Sequence, residues 1–118
     1  MFTIKSKVMF NETIKNPIFT YTFKNIKGVD ITGTNTMYEK ADVEIAKEGE
    51  QYVVSFTQEM NLQGGEYLLS MSCTGFDDMG ELTAYHRLYD VLSITVVSDK
   101  NTVGFYDMNS EVKIEKIG

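Results

Sequence analysis

Gly64-Gly65-Glu66-Tyr67-Leu68-Leu69-Ser70-Met71-Ser72-Cys73 reads as a glycine turn feeding a strand, with Tyr67, Leu69, Met71 and Cys73 on one face. Upstream, Tyr52, Val54 and Phe56 alternate in the same period of two, within a segment that ends near Leu62. That period belongs to a half-buried strand rather than a helix. The glycine pair between the two runs predicts a hairpin joining them.

Working outward, the same grammar recurs. Phe2, Ile4, Ser6, Val8 and Phe10 alternate with Thr3, Lys5, Lys7 and Met9, which predicts an opening strand. Asn11 to Pro17 holds the only proline and reads as a loop. Phe19-Thr-Tyr-Thr-Phe23 places aromatics on one face and threonines on the other. Lys24-Asn-Ile-Lys-Gly28 then turns the chain back through Val29 and Ile31. Met37 to Gly49 is the least strand-like part, an irregular crossover or a helical turn. Gly75 to Gly80 is a loop, Tyr89 to Val97 a long strand, Gly104 to Tyr106 a short one, and Val112 to Ile117 the last. About eight short strands separated by turns predict an all-β fold, an antiparallel jelly-roll or immunoglobulin-like β-sandwich. The 118 residues suffice for one such domain, 1–118, with no linker or repeat.

Composition supports the class. Thirty-one residues are Val, Ile or Thr, and only three are Ala. The net charge of −6 comes with scattered lysines and a single arginine, Arg87. Polyanions need a concentrated positive patch, so nucleic acid is set aside as a partner. Cys73 is the only cysteine, which excludes an internal disulfide and a multi-cysteine metal site. A lone buried thiol fits a reducing compartment, although surface proteins without disulfides would show the same count. No apolar run approaches the roughly 18 residues of a membrane-spanning helix.

Catalytic readings find little support. One histidine, His86, cannot make a two-histidine metal site, and no Gly-x-Ser-x-Gly elbow or phosphate-binding loop is present. Asp77, Asp78 and Glu81 match no calcium-loop spacing. No catalytic residue, metal or cofactor is assigned.

Binding chemistry is more suggestive. If Phe19, Tyr21, Phe23, Tyr67, Leu69, Met71, Leu92 and Ile94 face inward, then Thr20, Thr22, Ser70, Ser72, Ser93 and Thr95 face outward. Such hydroxyls suit exchange with sugar hydroxyls, and equally suit plain solvation of a sheet. Tyr38, Tyr85, Tyr89 and Tyr106 fall at strand ends or connections, where a ring either stacks on a pyranose or caps the core rim. Tyr85-His86-Arg87-Leu88-Tyr89-Asp90 gathers the only His and Arg with two tyrosines. This cluster binds a ligand through the planar Arg87 fork or forms a structural Arg87–Asp90 network. Asn35 offers donor and acceptor, or closes its own turn.

Taken together, Asn25–Thr36 (NIKGVDITGTNT), Gly49–Thr57 (GEQYVVSFT), Leu62–Ser72 (LQGGEYLLSMS), Tyr85–Val96 (YHRLYDVLSITV) and Gly104 resemble, in order and spacing, one family. It is the C-terminal carbohydrate-binding domain of Wzt-type ATPase subunits, from ABC transporters that export O-antigen and related polysaccharides. The resemblance implies a sandwich that binds a glycan without catalysis. It implies ATPase and membrane subunits as partners in a larger parent protein, and a cytoplasmic position at the inner face of the membrane. It also implies homodimers formed through edge strands. Carried onto this chain, it nominates Asn35, Tyr38, Tyr85, His86, Arg87 and Tyr89 as ligand contacts. Family members usually have a further strand ahead of the one that opens here, so an edge is expected to lie bare or be covered by a second copy. Two other readings remain: a structural, dimerising β-sandwich, and a sugar-binding module of a secreted adhesin or glycoside hydrolase.

Overall fold

A computed structural model describes residues 1–76 and 79–117, and for 82–91 the backbone only. Among the described residues seven strands follow one another: β1 (Phe2–Met9), β2 (Ile14–Asn25), β3 (Asp30–Asn35), β4 (Ile45–Ala46), β5 (Gln51–Gln58), β6 (Gly65–Phe76) and β7 (Leu82–Val96). All pairings are antiparallel. β1 and β5 form one layer, and β3-β2-β6-β7 form the other, with β4 also on β2. The two layers make a β-sandwich. Among the described residues no helix is long and apolar enough to cross a membrane.

The alternation in β2 explains the core. Phe19, Tyr21 and Phe23 are buried, while Thr20 and Thr22 between them stay half-buried on the opposite face. β1 and β5 supply the facing layer. Phe2 tilts onto Phe23 at 6.1 Å between ring centres, and Phe56 meets Tyr21 edge-on at 4.8 Å. Phe10 closes one end against Phe19 and Tyr52 at 6.1 and 5.6 Å. Offset and edge contacts of this kind add to the burial of the rings themselves. The β2–β3 turn forms as expected. Asn25 Oδ1 accepts from the Lys27 and Val29 N–H groups at 3.0 and 2.9 Å, and Gly28 takes the left-handed φ of 83° that ends the turn.

Four expectations are corrected. β5 and β6 are not a hairpin: β5 pairs with β1, and β6 with β2 and β7. Gly64-Gly65 carries the chain from one layer to the other, and periodicity within a strand does not say which neighbour it pairs with. Residues 11–17 are not all loop, because β2 begins at Ile14 and runs through Pro17 at a register shift between Lys15 and Ile18. A bulge tolerates the missing proline N–H. Residues 112–117 form no strand, and all are exposed. Their alternating pattern is sound, but among the described residues they pair with no strand. The short strand foreseen at 104–106 reduces to one bridge, Tyr106 to Leu62.

Candidate functional site

The outer face of the larger sheet holds a shallow groove of about 330 Å³, lined by Met71 and by the polar residues Thr20, Thr22, Lys24, Asp30, Ser70 and Ser72. Four of these are hydroxyl residues that sequence alternation placed outward. Strand register explains their grouping. Thr20 lies opposite Ser72, and Thr22 opposite Ser70. Lys24 lies opposite Asp30 across the β2–β3 pair. Directly opposed residues share a face, so the four hydroxyls form a two-by-two array.

Gly33 keeps one side of this array open. It lies opposite Thr22, and a Cβ there would sit 2.4 Å from the Tyr21 carbonyl oxygen and 3.3 Å from Thr22 Oγ1. No side chain fits at that place, so β3 approaches β2 closely beside the groove.

Register extends the array across the whole sheet. Asn35 pairs with Thr20, Thr20 with Ser72, and Ser72 with Arg87. Two residues nominated from distant parts of the sequence therefore end one transverse row, with two hydroxyl residues between them. Three strand spacings separate its ends, about 14 Å. Asn35 is itself half engaged. Its Oδ1 accepts the Tyr38 N–H at 2.8 Å, which fixes the turn over 36–40. Glu39 braces the same turn by accepting from Thr34 Oγ1 at 3.1 Å. Thr36 anchors it below, its buried Oγ1 accepting the Phe19 N–H at 3.1 Å. On this support Tyr38 is held out into solvent, 72% exposed. Its ring is thus available for stacking rather than committed to the core rim.

The side chains of Tyr85, His86, Arg87 and Tyr89 lie outside the described residues; their backbone belongs to β7. The pairing of β6 with β7 shifts twice, between Cys73 and Thr74 and between Leu69 and Met71. Tyr85 falls in the first shift, between Ala84 and His86. Tyr89 falls in the second, between Leu88 and Leu92. Bulges of this kind gather at binding sites because they re-aim a strand locally. His86 is opposite Cys73, in the neighbouring row rather than the hydroxyl row.

Other polar groups have structural roles. Tyr106 donates its hydroxyl to the Ile31 carbonyl and so belongs to the core rim. Tyr21 donates to Gln58 Oε1 at 3.3 Å, and burial, helped by the nearby Glu39 charge, raises its pKa. Burial also pushes the Cys73 thiol up to about 11, so it stays protonated and unreactive at neutral pH. Among the described residues, no three His, Cys, Asp or Glu side chains cluster to hold a metal. The Lys24, Asp30, Thr20 and Ser72 groups missed by the nominated set had one sequence signal: their place on the outward side of alternating strands.

An antiparallel sandwich with a polar groove on one open face is a frame suited to ligand binding. The chain belongs to the Wzt C-terminal domain family, whose model matches residues 1–108. Among solved structures, it is similar to one described as the crystal structure of the C-terminal domain of wzt, with a TM-score of 0.84 and 22% identity. That match covers 96% of this chain and 69% of the other. No curated protein matches the chain. The family is a non-catalytic C-terminal domain family and points to a domain of a polysaccharide-export ABC transporter.

Proposed function

We propose that the chain is a non-catalytic carbohydrate-binding domain that holds a bacterial surface polysaccharide for export by an ABC transporter. The observation that carries this reading is the transverse row Asn35–Thr20–Ser72–Arg87, which borders the hydroxyl-lined groove on the outer sheet face. Thr20, Thr22, Ser70 and Ser72 exchange hydrogen bonds with sugar hydroxyls. Tyr38 stacks on an apolar pyranose face, with Tyr85 and Tyr89 on the far strand completing the aromatic border. Arg87, on the hydroxyl row, supplies a planar donor fork, whereas His86 stands in the neighbouring row opposite buried Cys73. The site is shallow and wet, so one domain binds weakly and relies on repeated sugar units.

In this reading residues 1–118 are one sandwich domain of a larger ATPase subunit. It works on the cytoplasmic side of the membrane beside the transporter's membrane subunits. Copies associate through sheet edges, because among the described residues β1 has a strand partner on one side only. Calorimetric titration with oligosaccharides of the host strain's surface polysaccharide tests the binding site. Arg87→Ala and Tyr38→Ala should each weaken binding about ten-fold, which is about 1.4 kcal/mol. Wild-type affinity in both variants would remove the proposed face.

A further inference from the structure

The floor of the outer groove has a direction. Rows of opposed residues run across the strands, and the row next to Asn35–Thr20–Ser72–Arg87 is Gly33–Thr22–Ser70. This second row carries a bare glycine and two short hydroxyl side chains. Ser70 is 8% exposed on the face turned away from β1 and β5, so the floor is recessed below its neighbours.

Along the strands the floor is shut at both ends. Lys24 and Leu68 are directly opposed, one outward position beyond Thr22 and Ser70. At the other end Ile18 is opposed to Thr74, one outward position beyond Thr20 and Ser72. Ile18 is buried without belonging to the core cluster between the layers, so it packs on the outer side. Across the strands the way is clear at β3, where Gly33 is exposed and its backbone lies so close to β2 that no side chain could stand there. On the far side the floor reaches the register shift between Leu88 and Leu92, which holds Tyr89. The trough therefore runs from the β3 edge to β7. It crosses three strand spacings, about 14 Å, more than one sugar ring occupies.

The charges around the trough bear on the class of sugar. Lys24 and Asp30 are directly opposed across β2 and β3, where opposite charges balance. On the two floor rows Arg87 alone is charged, and Asn35, Gly33, Thr20, Thr22, Ser70 and Ser72 are neutral. A polyanionic chain needs a concentrated positive surface, and this protein carries a net charge of −6.

We infer that the glycan lies across the strands rather than along them, over Gly33 and the four hydroxyls from β3 to β7, and that the run of sugars seated there is uncharged. This deepens the carbohydrate-binding reading above and rests on it. Tyr38, whose N–H is held by Asn35 Oδ1, flanks the β3 exit and meets a sugar further along the chain.

Fragments of the host strain's surface polysaccharide, graded from a single sugar upward, should gain about ten-fold or more in affinity as they lengthen to fill the trough, and then level off. A spin label at the reducing end of a filling fragment should broaden backbone amide NMR signals most strongly at one sheet edge, near Gly33 or near Arg87. Thr22→Tyr should lower the affinity of filling fragments about ten-fold, whereas Ser55→Tyr, exposed on β5 of the other layer, should not. Affinity should change by less than about three-fold between about 0.05 and 0.5 M salt. Strongest broadening at Lys24 and Leu68, or at Ile18 and Thr74, would overturn the crossing and leave carbohydrate binding in place. Full affinity for a single sugar would overturn the extended seat. A larger fall with salt would overturn the uncharged class. Should Thr22→Tyr lose the folded amide spectrum, the label on the wild-type chain decides the axis alone. Binding by no fragment would overturn the carbohydrate-binding reading and this inference together.

Discussion

Phe23 and Leu92 both face the inner side of the same sheet, and their fates differ. Phe23, near the end of β2, is sealed at 1% exposure against Phe2 and Tyr21. Leu92, on β7, lies two strands away and past the limit of the covering layer. Apolar alternation alone does not bury a residue; a second layer must reach it. The centre of the sheet is therefore a core, whereas its β7 side stays open to solvent at Leu92.

The largest effect should come from the sealed centre. Leu69→Ala should cost about 2–5 kcal/mol of unfolding free energy, because it leaves a cavity in a packed site. Leu92→Ala should change stability by less than about 0.5 kcal/mol, because Leu92 is already exposed. Equal losses in chemical denaturation would break the contrast between the two regions.

Gly33→Ala sharpens it from the outer face. The added methyl has no room against the Tyr21 carbonyl, so about 1–3 kcal/mol of stability should be lost, read as a lower denaturation midpoint. A neutral result would mean that β3 and β2 separate easily and the groove is not held open by that glycine.

A smaller change tests the turn that presents Tyr38. Asn35→Ala removes the acceptor of the Tyr38 N–H and should cost about 1 kcal/mol. Glycan affinity should fall with it, whereas Asn35→Asp should retain the turn. Loss of affinity with full stability would instead assign Asn35 a direct contact.

The mildest expected effect is alkaline. The Cys73 thiol, raised by burial from 9.0 to about 11, keeps its proton in the folded chain while the unfolded chain loses it. Its contribution is complete below pH 9 and is lost as pH rises through about 11, on the order of 1 kcal/mol. Comparing denaturation of Cys73→Ala with the parent between pH 8 and 11 should show a shallower decline in the variant. Identical slopes would place Cys73 in a wetter site than the core.

Much of the fold was legible because strand periodicity is local. Phe19, Tyr21 and Phe23 announced their face, and Asn25 with Gly28 announced their turn. Partnership was not legible. β5 and β6 each showed a correct pattern, but their pairing with β1 and β2 depends on which layer each enters. Similarly, Asn35 and Arg87 attracted notice for their chemistry, while nothing in the linear order placed them on one row.

The amino-acid order by itself determined that the chain folds as antiparallel strands, which face of each is apolar, and where the Asn25–Gly28 turn falls. These follow from side-chain alternation and backbone preferences that act over a few residues. Tertiary structure alone decided that Thr20, Thr22, Ser70 and Ser72 meet around one groove, that Tyr85 and Tyr89 fall at register shifts, and that Leu92 and residues 110–117 stay uncovered. Those outcomes depend on strand partners and layer width, set by contacts between residues far apart along the chain.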